Sequence, residues 1–87
     1  MPVNYLATFY THFGVLTFQS RLEDAGLSDF KLMAAPRRLS VSCGTAIRFS
    51  LPAEMDPRTL ADEDTEKIYL YEPDASPEYR EIYCDNQ

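Results

Sequence analysis

The order of short apolar segments along the chain constrains its fold more than any other feature of the sequence. Four segments combine aromatic and aliphatic residues between turn residues, which is typical of strands: residues 4–10, 30–35, 44–51 and 67–72. A helix is predicted after the first segment, because apolar residues recur at helical spacing between the candidate N-cap Thr11 and the glycine stop Gly26. A second, short helix is predicted from Asp56, an acidic N-cap that precedes a proline.

This order of elements predicts an α+β fold. The succession β-α-β-β-α-β is that of ferredoxin-like folds, in which an antiparallel sheet carries two helices on one face. The third strand then lies between the first two, so that the end of the first strand and the start of the third share one sheet edge. That edge brings His12 and Cys43 together, although 31 positions separate them. We expect one domain over residues 1–72, followed by an acidic C-terminal tail over residues 73–87 that is extended or weakly helical.

Charge is distributed unevenly along the 87 residues. Residues 1–53 carry a net charge of +2 and residues 54–87 a net charge of −8, which gives −6 in total. The acidic part is either a solvated tail or a docking surface for a basic partner. The acidic balance argues against binding to nucleic acid and to anionic membrane surfaces. With no membrane-spanning run and no signal peptide in the sequence, we expect a cytoplasmic protein with reduced thiols.

Cys43 is the strongest candidate for chemistry, because it lies in a polar loop predicted over residues 36–43. A reactive thiol must be deprotonated near neutral pH, and cations, histidine and helix N-termini all favour the thiolate. The predicted edge offers such charges from Arg37, Arg38 and His12, and the histidine is also a candidate general base. The alternatives are a buried, unreactive cysteine and a surface histidine without a role.

Further residues complete the candidate binding set. Ser40 and Ser42 are expected to donate hydrogen bonds to a thiolate or to a terminal sulfur, and Gly44 permits close approach of the backbone. Arg48 alternates with apolar positions of its strand and should reach the open surface of the sheet. We interpret Cys84 as a surface thiol rather than a resolving partner. No metal site is expected, because one histidine and two distant cysteines do not form a four-ligand cluster.

The block PRRLSVSCGTAIRF, which contains Cys43, resembles the P-R-x-L-S-x-S-C-G-x-A-[LI]-R-F block of the small bacterial family of selenium/sulfur carrier-like proteins. The upstream piece ATFYTHFGVLTFQSRLEDAG is similar to the strand and the Thr-His helix start of that family. The resemblance covers residues 5–72. The positions that match its motifs are Pro36, Arg37, Leu39, Ser40, Ser42, Cys43, Gly44, Arg48 and, upstream, His12. Two positions depart from the pattern: Arg38 replaces a commonly acidic residue, and Gly14 interrupts the helix.

The resemblance implies a cytosolic thiol carrier with Cys43 as the carrying residue. It would receive sulfur or selenium, as a persulfide or perselenide, from a pyridoxal-phosphate-dependent cysteine desulfurase or selenocysteine lyase and pass it to an unknown protein acceptor. Such a carrier acts stoichiometrically rather than as an enzyme and needs no bound cofactor. The alternative is a non-catalytic interaction or regulatory module, in which Arg48 lines a contact patch with Tyr69 and Tyr71. A redox sensor that pairs Cys43 with Cys84 and a homodimer through an exposed edge strand also stay open.

Overall fold

The computed structural model describes residues 2–39 and 43–84, which form one α-helix, one 3-10 helix and five strands. In chain order the elements are β1 (Pro2–Phe9), α1 (His12–Asp24), β2 (Phe30–Ala34), β3 (Thr45–Pro52), the 3-10 helix (Pro57–Leu60), β4 (Thr65–Tyr71) and β5 (Tyr79–Cys84). The strands form one sheet in the order β2-β3-β1-β4-β5, and every neighbouring pair is antiparallel. β1 and β3 therefore lie side by side in the interior of the sheet.

The α+β class and the antiparallel sheet are confirmed, and β3 lies between β1 and β2. The predicted β-α-β-β-α-β form with two helices is wrong in its second half, where the described chain makes only the 3-10 turn Pro57–Leu60. Asp56 caps this turn as predicted, with its carboxylate accepting the Arg58 N–H at 3.0 Å. A local hydrogen bond after the turn explains why it is short. The Asp62 carboxylate accepts the Asp64 N–H at 2.9 Å after it, and such bonds favour turns over a continued helix.

The last strand, β5, falls within the predicted tail. It pairs with β4 in a register that places Tyr79 opposite Tyr71 and Cys84 opposite Lys67. Some of its apolar side chains pack against the core of the sheet. Of the two alternatives for the tail, the extended one therefore holds for these residues. The division of the chain after residue 72 stays a prediction.

One face of the sheet, which we call the helix face, packs against α1. The rings of Phe9, Phe18 and Phe49 meet there edge to face, with centroids 5.3 and 5.2 Å apart. Each of these residues is only 1% exposed, and rings in this geometry add to the stability gained by burial. Thr11 caps α1 as predicted, with its hydroxyl accepting the Gly14 N–H at 3.2 Å. The helix face therefore holds the main core.

The opposite face, which we call the loop face, is covered by irregular chain instead of a helix. Leu6, Ala46 and Tyr69 are buried on it. Ala35 and Leu39, from the segment that follows β2, pack against these three side chains. The chain that follows β2 thus lies on the loop face as far as Leu39.

Candidate functional site

Cys43 lies two residues before the start of β3. It is half-buried against the core of the helix face, and its Sγ donates a hydrogen bond to the Thr45 carbonyl at 3.5 Å. Gly44, beside it, is exposed and has a φ of +77°, a backbone conformation that favours glycine. The Gly44 carbonyl accepts the Ala35 N–H at 2.9 Å, which ties the end of β2 to the start of β3. The thiol is therefore held at a fixed edge of the sheet, next to exposed backbone.

His12 is the first residue of α1, and its side chain is exposed. Thr8, near the end of β1, pairs with Ala46, near the start of β3. His12 and Cys43 therefore both lie just beyond the same sheet edge. Arg21 follows His12 by nine residues, which is about two and a half helical turns, so the two side chains leave α1 on opposite sides. Arg21 binds the chain just before β4, so His12 lies on the side of α1 away from that chain. Among the described residues, Cys43 bonds to main chain rather than to this imidazole.

The two arginines predicted beside the thiol have different positions. Arg37 is exposed to solvent after β2. Arg38 forms an ion pair with Glu78 and stacks on Tyr79, with its guanidinium carbon 5.4 Å from the ring centroid. Tyr79 belongs to β5, which is three strands from β3, or about 14 Å across the sheet. The charge of Arg38 therefore lies over β5 and away from Cys43.

Arg48 is exposed on the loop face. It follows Cys43 by five residues, which is about 17 Å along the strand. Its guanidinium carbon lies 5.1 Å from the ring centroid of Tyr71, and the Tyr71 ring stacks on Tyr79 with centroids 5.0 Å apart. The resulting Arg–Tyr stack consists of Arg48, Tyr71, Tyr79 and Arg38. It joins the centre of the loop face to the segment that follows β2.

Sequence reasoning missed the Arg–Tyr stack because Tyr79 lies in the predicted tail. A signal was present, since the strand-forming run that contains Tyr79 follows a turn with Pro73 and Pro77, a pattern typical of hairpins. Burial raises the pKa of Tyr79 above the usual tyrosine value, and the same cause raises that of Tyr69. Both phenols are therefore neutral at physiological pH, and their rings are available for contact with cations.

The remaining candidate residues are Ser40, Ser42 and Cys84. Ser40 and Ser42 lie outside the described residues. Cys84 ends β5 at the same sheet edge as Cys43 but three strands away, a separation of about 14 Å. The Cα atoms of a disulfide are less than about 7 Å apart, so a bond between these cysteines requires the strands to separate. Both cysteines are thiols in this structure.

Among residues 2–39 and 43–84, no three His, Cys, Asp or Glu side chains are grouped so that they could hold a metal ion. No helix in these two ranges has the length and apolar character needed to cross a membrane.

A comparison with protein-family models matches residues 4–83 to a family described as "Putative Se/S carrier protein-like". The match includes His12 and Cys43 and continues into β5, beyond residue 72, where the resemblance seen in the sequence ends. No curated protein and no solved structure matches the chain. Because a single family model spans nearly the whole sequence and all five strands, this chain belongs to the Se/S carrier-like family.

Proposed function

We propose that this protein carries a sulfur or selenium atom on Cys43, as a persulfide or a perselenide. The supporting observation is that the family match includes Cys43 and that this thiol lies at a sheet edge beside the exposed Gly44. Backbone without a side chain leaves room for the reacting atom of a partner protein to approach. The protein acts as a stoichiometric carrier in the cytoplasm, where thiols stay reduced.

The loading step in this proposal is a thiol–persulfide exchange. The Cys43 thiolate attacks the outer sulfur of a persulfide on the donor, so that a new S–S bond forms at Sγ and the S–S bond of the donor breaks. The electron pair of the broken bond leaves with the inner sulfur of the donor as a thiolate, and no external oxidant or reductant is needed. A donor with selenium as the outer atom reacts in the same way and leaves a perselenide on Cys43.

The donor in this proposal is a pyridoxal-phosphate-dependent cysteine desulfurase or selenocysteine lyase, and the acceptor is a second protein. His12 lies just beyond the same sheet edge as Cys43, and we assign it the role of the base that takes the proton from Cys43. Arg37 supplies a positive charge near the loop, which favours the thiolate. Ser40 and Ser42 donate hydrogen bonds to the carried atom.

Loading of three proteins tests this function. The wild type, Cys43→Ser and the matched control Cys84→Ser are incubated with a cysteine desulfurase and cysteine labelled with radioactive sulfur. Protein-bound label that dithiothreitol releases is then counted. We expect equal label on the wild type and Cys84→Ser and none on Cys43→Ser, because the acceptor thiol is absent from that variant. Label retained by Cys43→Ser would rule out Cys43 as the carrying residue.

A non-catalytic interaction module is the second candidate, and exposed apolar side chains at the start of α1 favour it. Phe13 and Leu16 are 69% and 59% exposed, and Tyr10 is 38% exposed. Large apolar residues exposed close together are typical of docking surfaces. Alkylation of the Cys84→Ser variant by iodoacetamide separates the two functions. Reaction of Cys43 in the native protein supports the carrier, whereas reaction only after denaturation supports the module.

A further inference from the structure

The chain that follows β2 packs on the loop face as far as Leu39. We call residues 35–39 the anchor segment. Its two ends, Ala35 and Leu39, pack against the buried side chains of this face, and the Leu39 N–H bonds to the Pro36 carbonyl at 3.0 Å. Apolar contacts at both ends and a closed turn between them hold the segment against the sheet, four residues before Cys43.

A polar contact joins the anchor segment to the hairpin formed by β4 and β5. Arg38 forms an ion pair with Glu78 and lies over the ring of Tyr79, which itself stacks on Tyr71. Arg38 and Glu78 are 40 positions apart in the sequence. This contact therefore connects the block of sequence that contains Cys43 to the predicted tail.

The chain that follows the thiol is also held in place. Gly44, which follows Cys43, bonds through its carbonyl to the N–H of Ala35 at 2.9 Å. Ala35 is thus held both by the start of β3 and by the buried side chains of the loop face. Contacts made by the anchor segment therefore reach Gly44, the residue next to Cys43, through the Ala35–Gly44 bond.

We propose that Glu78 and Tyr79 are positioning residues for Cys43. They hold Arg38, and through it the anchor segment, so that the thiol meets an incoming persulfide in one geometry. This inference rests on the proposed carrier function and extends it to the C-terminal hairpin. Correct placement of a reacting atom raises the rate of attack without changing how tightly the partner docks.

Two variants remove the contact from opposite sides, and each is made in the Cys84→Ser background. Tyr79→Leu removes the ring and keeps the charge of Arg38, whereas Arg38→Gln removes the charge and leaves the hairpin intact. Tyr79→Phe keeps the ring and serves as the conservative rescue. Glu72→Gln is the matched control, because it breaks a pair with Arg80 at 3.7 Å in the same hairpin, away from the anchor segment.

The rate of sulfur loading is measured against carrier concentration with a cysteine desulfurase and cysteine, and thermal unfolding confirms that each variant is folded. We expect the maximal rate to fall about fivefold in Tyr79→Leu and Arg38→Gln, the size of effect that one exposed cation–π contact supports. The half-saturating concentration should not change. Tyr79→Phe and Glu72→Gln should load like the parent. Unchanged maximal rates in the first two variants would overturn the inference.

Alkylation of Cys43 by iodoacetamide distinguishes failure of this inference from failure of the carrier function, because it needs no sulfur donor. If the parent does not load, the carrier function fails. Positioning is then judged from the rate at which iodoacetamide alkylates Cys43. This rate should differ from that of the parent in Tyr79→Leu and Arg38→Gln but not in Tyr79→Phe. Equal alkylation rates in all folded variants would show that Glu78 and Tyr79 do not position the thiol.

Discussion

The two faces of the sheet are built from different chemistry. The helix face is closed by the rings of Phe9, Phe18 and Phe49, which are almost completely buried. The loop face has a smaller buried group, and beyond it the contacts are the exposed ion pair of Arg38 and the Arg–Tyr stack. Tyr69 is the largest side chain buried on that second face. One face thus uses apolar burial, and the other uses polar and aromatic contacts at the surface.

This difference indicates a division of roles between the two faces. Burial of a large apolar side chain contributes about 1.5–3 kcal/mol, whereas an exposed ion pair contributes about 0–1 kcal/mol. The helix face therefore determines whether the chain folds. The contacts of the loop face contribute little to the free energy of unfolding, but they act on the segment that leads to Cys43. Such weakly held segments open locally before the whole protein unfolds.

The largest effect is a difference in the free energy of unfolding between two variants, each of which shortens one apolar side chain on one face to alanine. Phe18→Ala should lower the free energy of unfolding by about 3–5 kcal/mol, because it leaves a cavity in a closed core. Leu39→Ala should cost only ~1 kcal/mol, because Leu39 is half-buried and its surroundings are open to solvent. Urea unfolding followed by circular dichroism measures both. Equal losses of unfolding free energy in the two variants would show that the two faces do not differ in their contribution to stability.

A smaller effect on the helix face is expected at Gly14, where α1 meets the turn before β4. A Cβ at this position would lie 2.7 Å from the Cβ of Asp64 and 3.0 Å from its carbonyl oxygen. Gly14→Ala should therefore lower the free energy of unfolding by about 1–3 kcal/mol, although alanine favours helix. Ser20→Ala, on the exposed side of the same helix, is the control and should gain ~0.5 kcal/mol. A stabilising Gly14→Ala would show that α1 is not closely packed here.

The smallest effect is a loss of stability at alkaline pH, and it should occur on both faces. Burial raises the pKa of Tyr5 on the helix face and of Tyr69 on the loop face. The folded protein keeps these protons to higher pH than the unfolded chain does. The associated stability is therefore complete below about pH 10 and is lost as the pH rises through the folded-state values.

Urea midpoints between about pH 8 and about pH 11 measure this loss. Tyr5→Phe and Tyr69→Phe should each make the midpoint less dependent on pH, because phenylalanine does not ionise. If only Tyr5→Phe has this effect, Tyr69 is more hydrated than its position on the loop face indicates. A midpoint whose pH dependence is the same in the wild type and in both variants would contradict the assignment to these tyrosines.

The parts of the fold that follow from local patterns were predictable. Apolar periodicity and the Thr11 cap located α1 and the first four strands to within a few residues. The prediction of a second helix was right about the Asp56 cap, but the Asp62 carboxylate after the turn binds the Asp64 N–H, a local bond that competes with helical hydrogen bonds and that apolar periodicity does not reveal. β5 was missed as a defined strand because two prolines precede it closely and because the charged residues Arg80 and Glu81 interrupt its strand-forming residues.

The candidate site also has one part that local patterns and strand order predict and one part that they do not. The shared edge of His12 and Cys43 follows from strand order alone, because β3 pairs with β1 in either version of the fold. The position of Arg38 does not follow from the sequence, since its partners Glu78 and Tyr79 are 40 and more positions away on a strand that local patterns leave undefined. Long-range polar contacts of this kind depend on the assembled sheet.

Intact mass of the reduced wild-type protein after loading tests the central claim most directly. One sample is incubated with a cysteine desulfurase and cysteine, and another with a selenocysteine lyase and selenocysteine. We expect a gain equal to one sulfur or one selenium atom, which peptide fragmentation assigns to Cys43. No gain in either sample, in a protein whose Cys43 reacts with iodoacetamide in the native state, would contradict the carrier function.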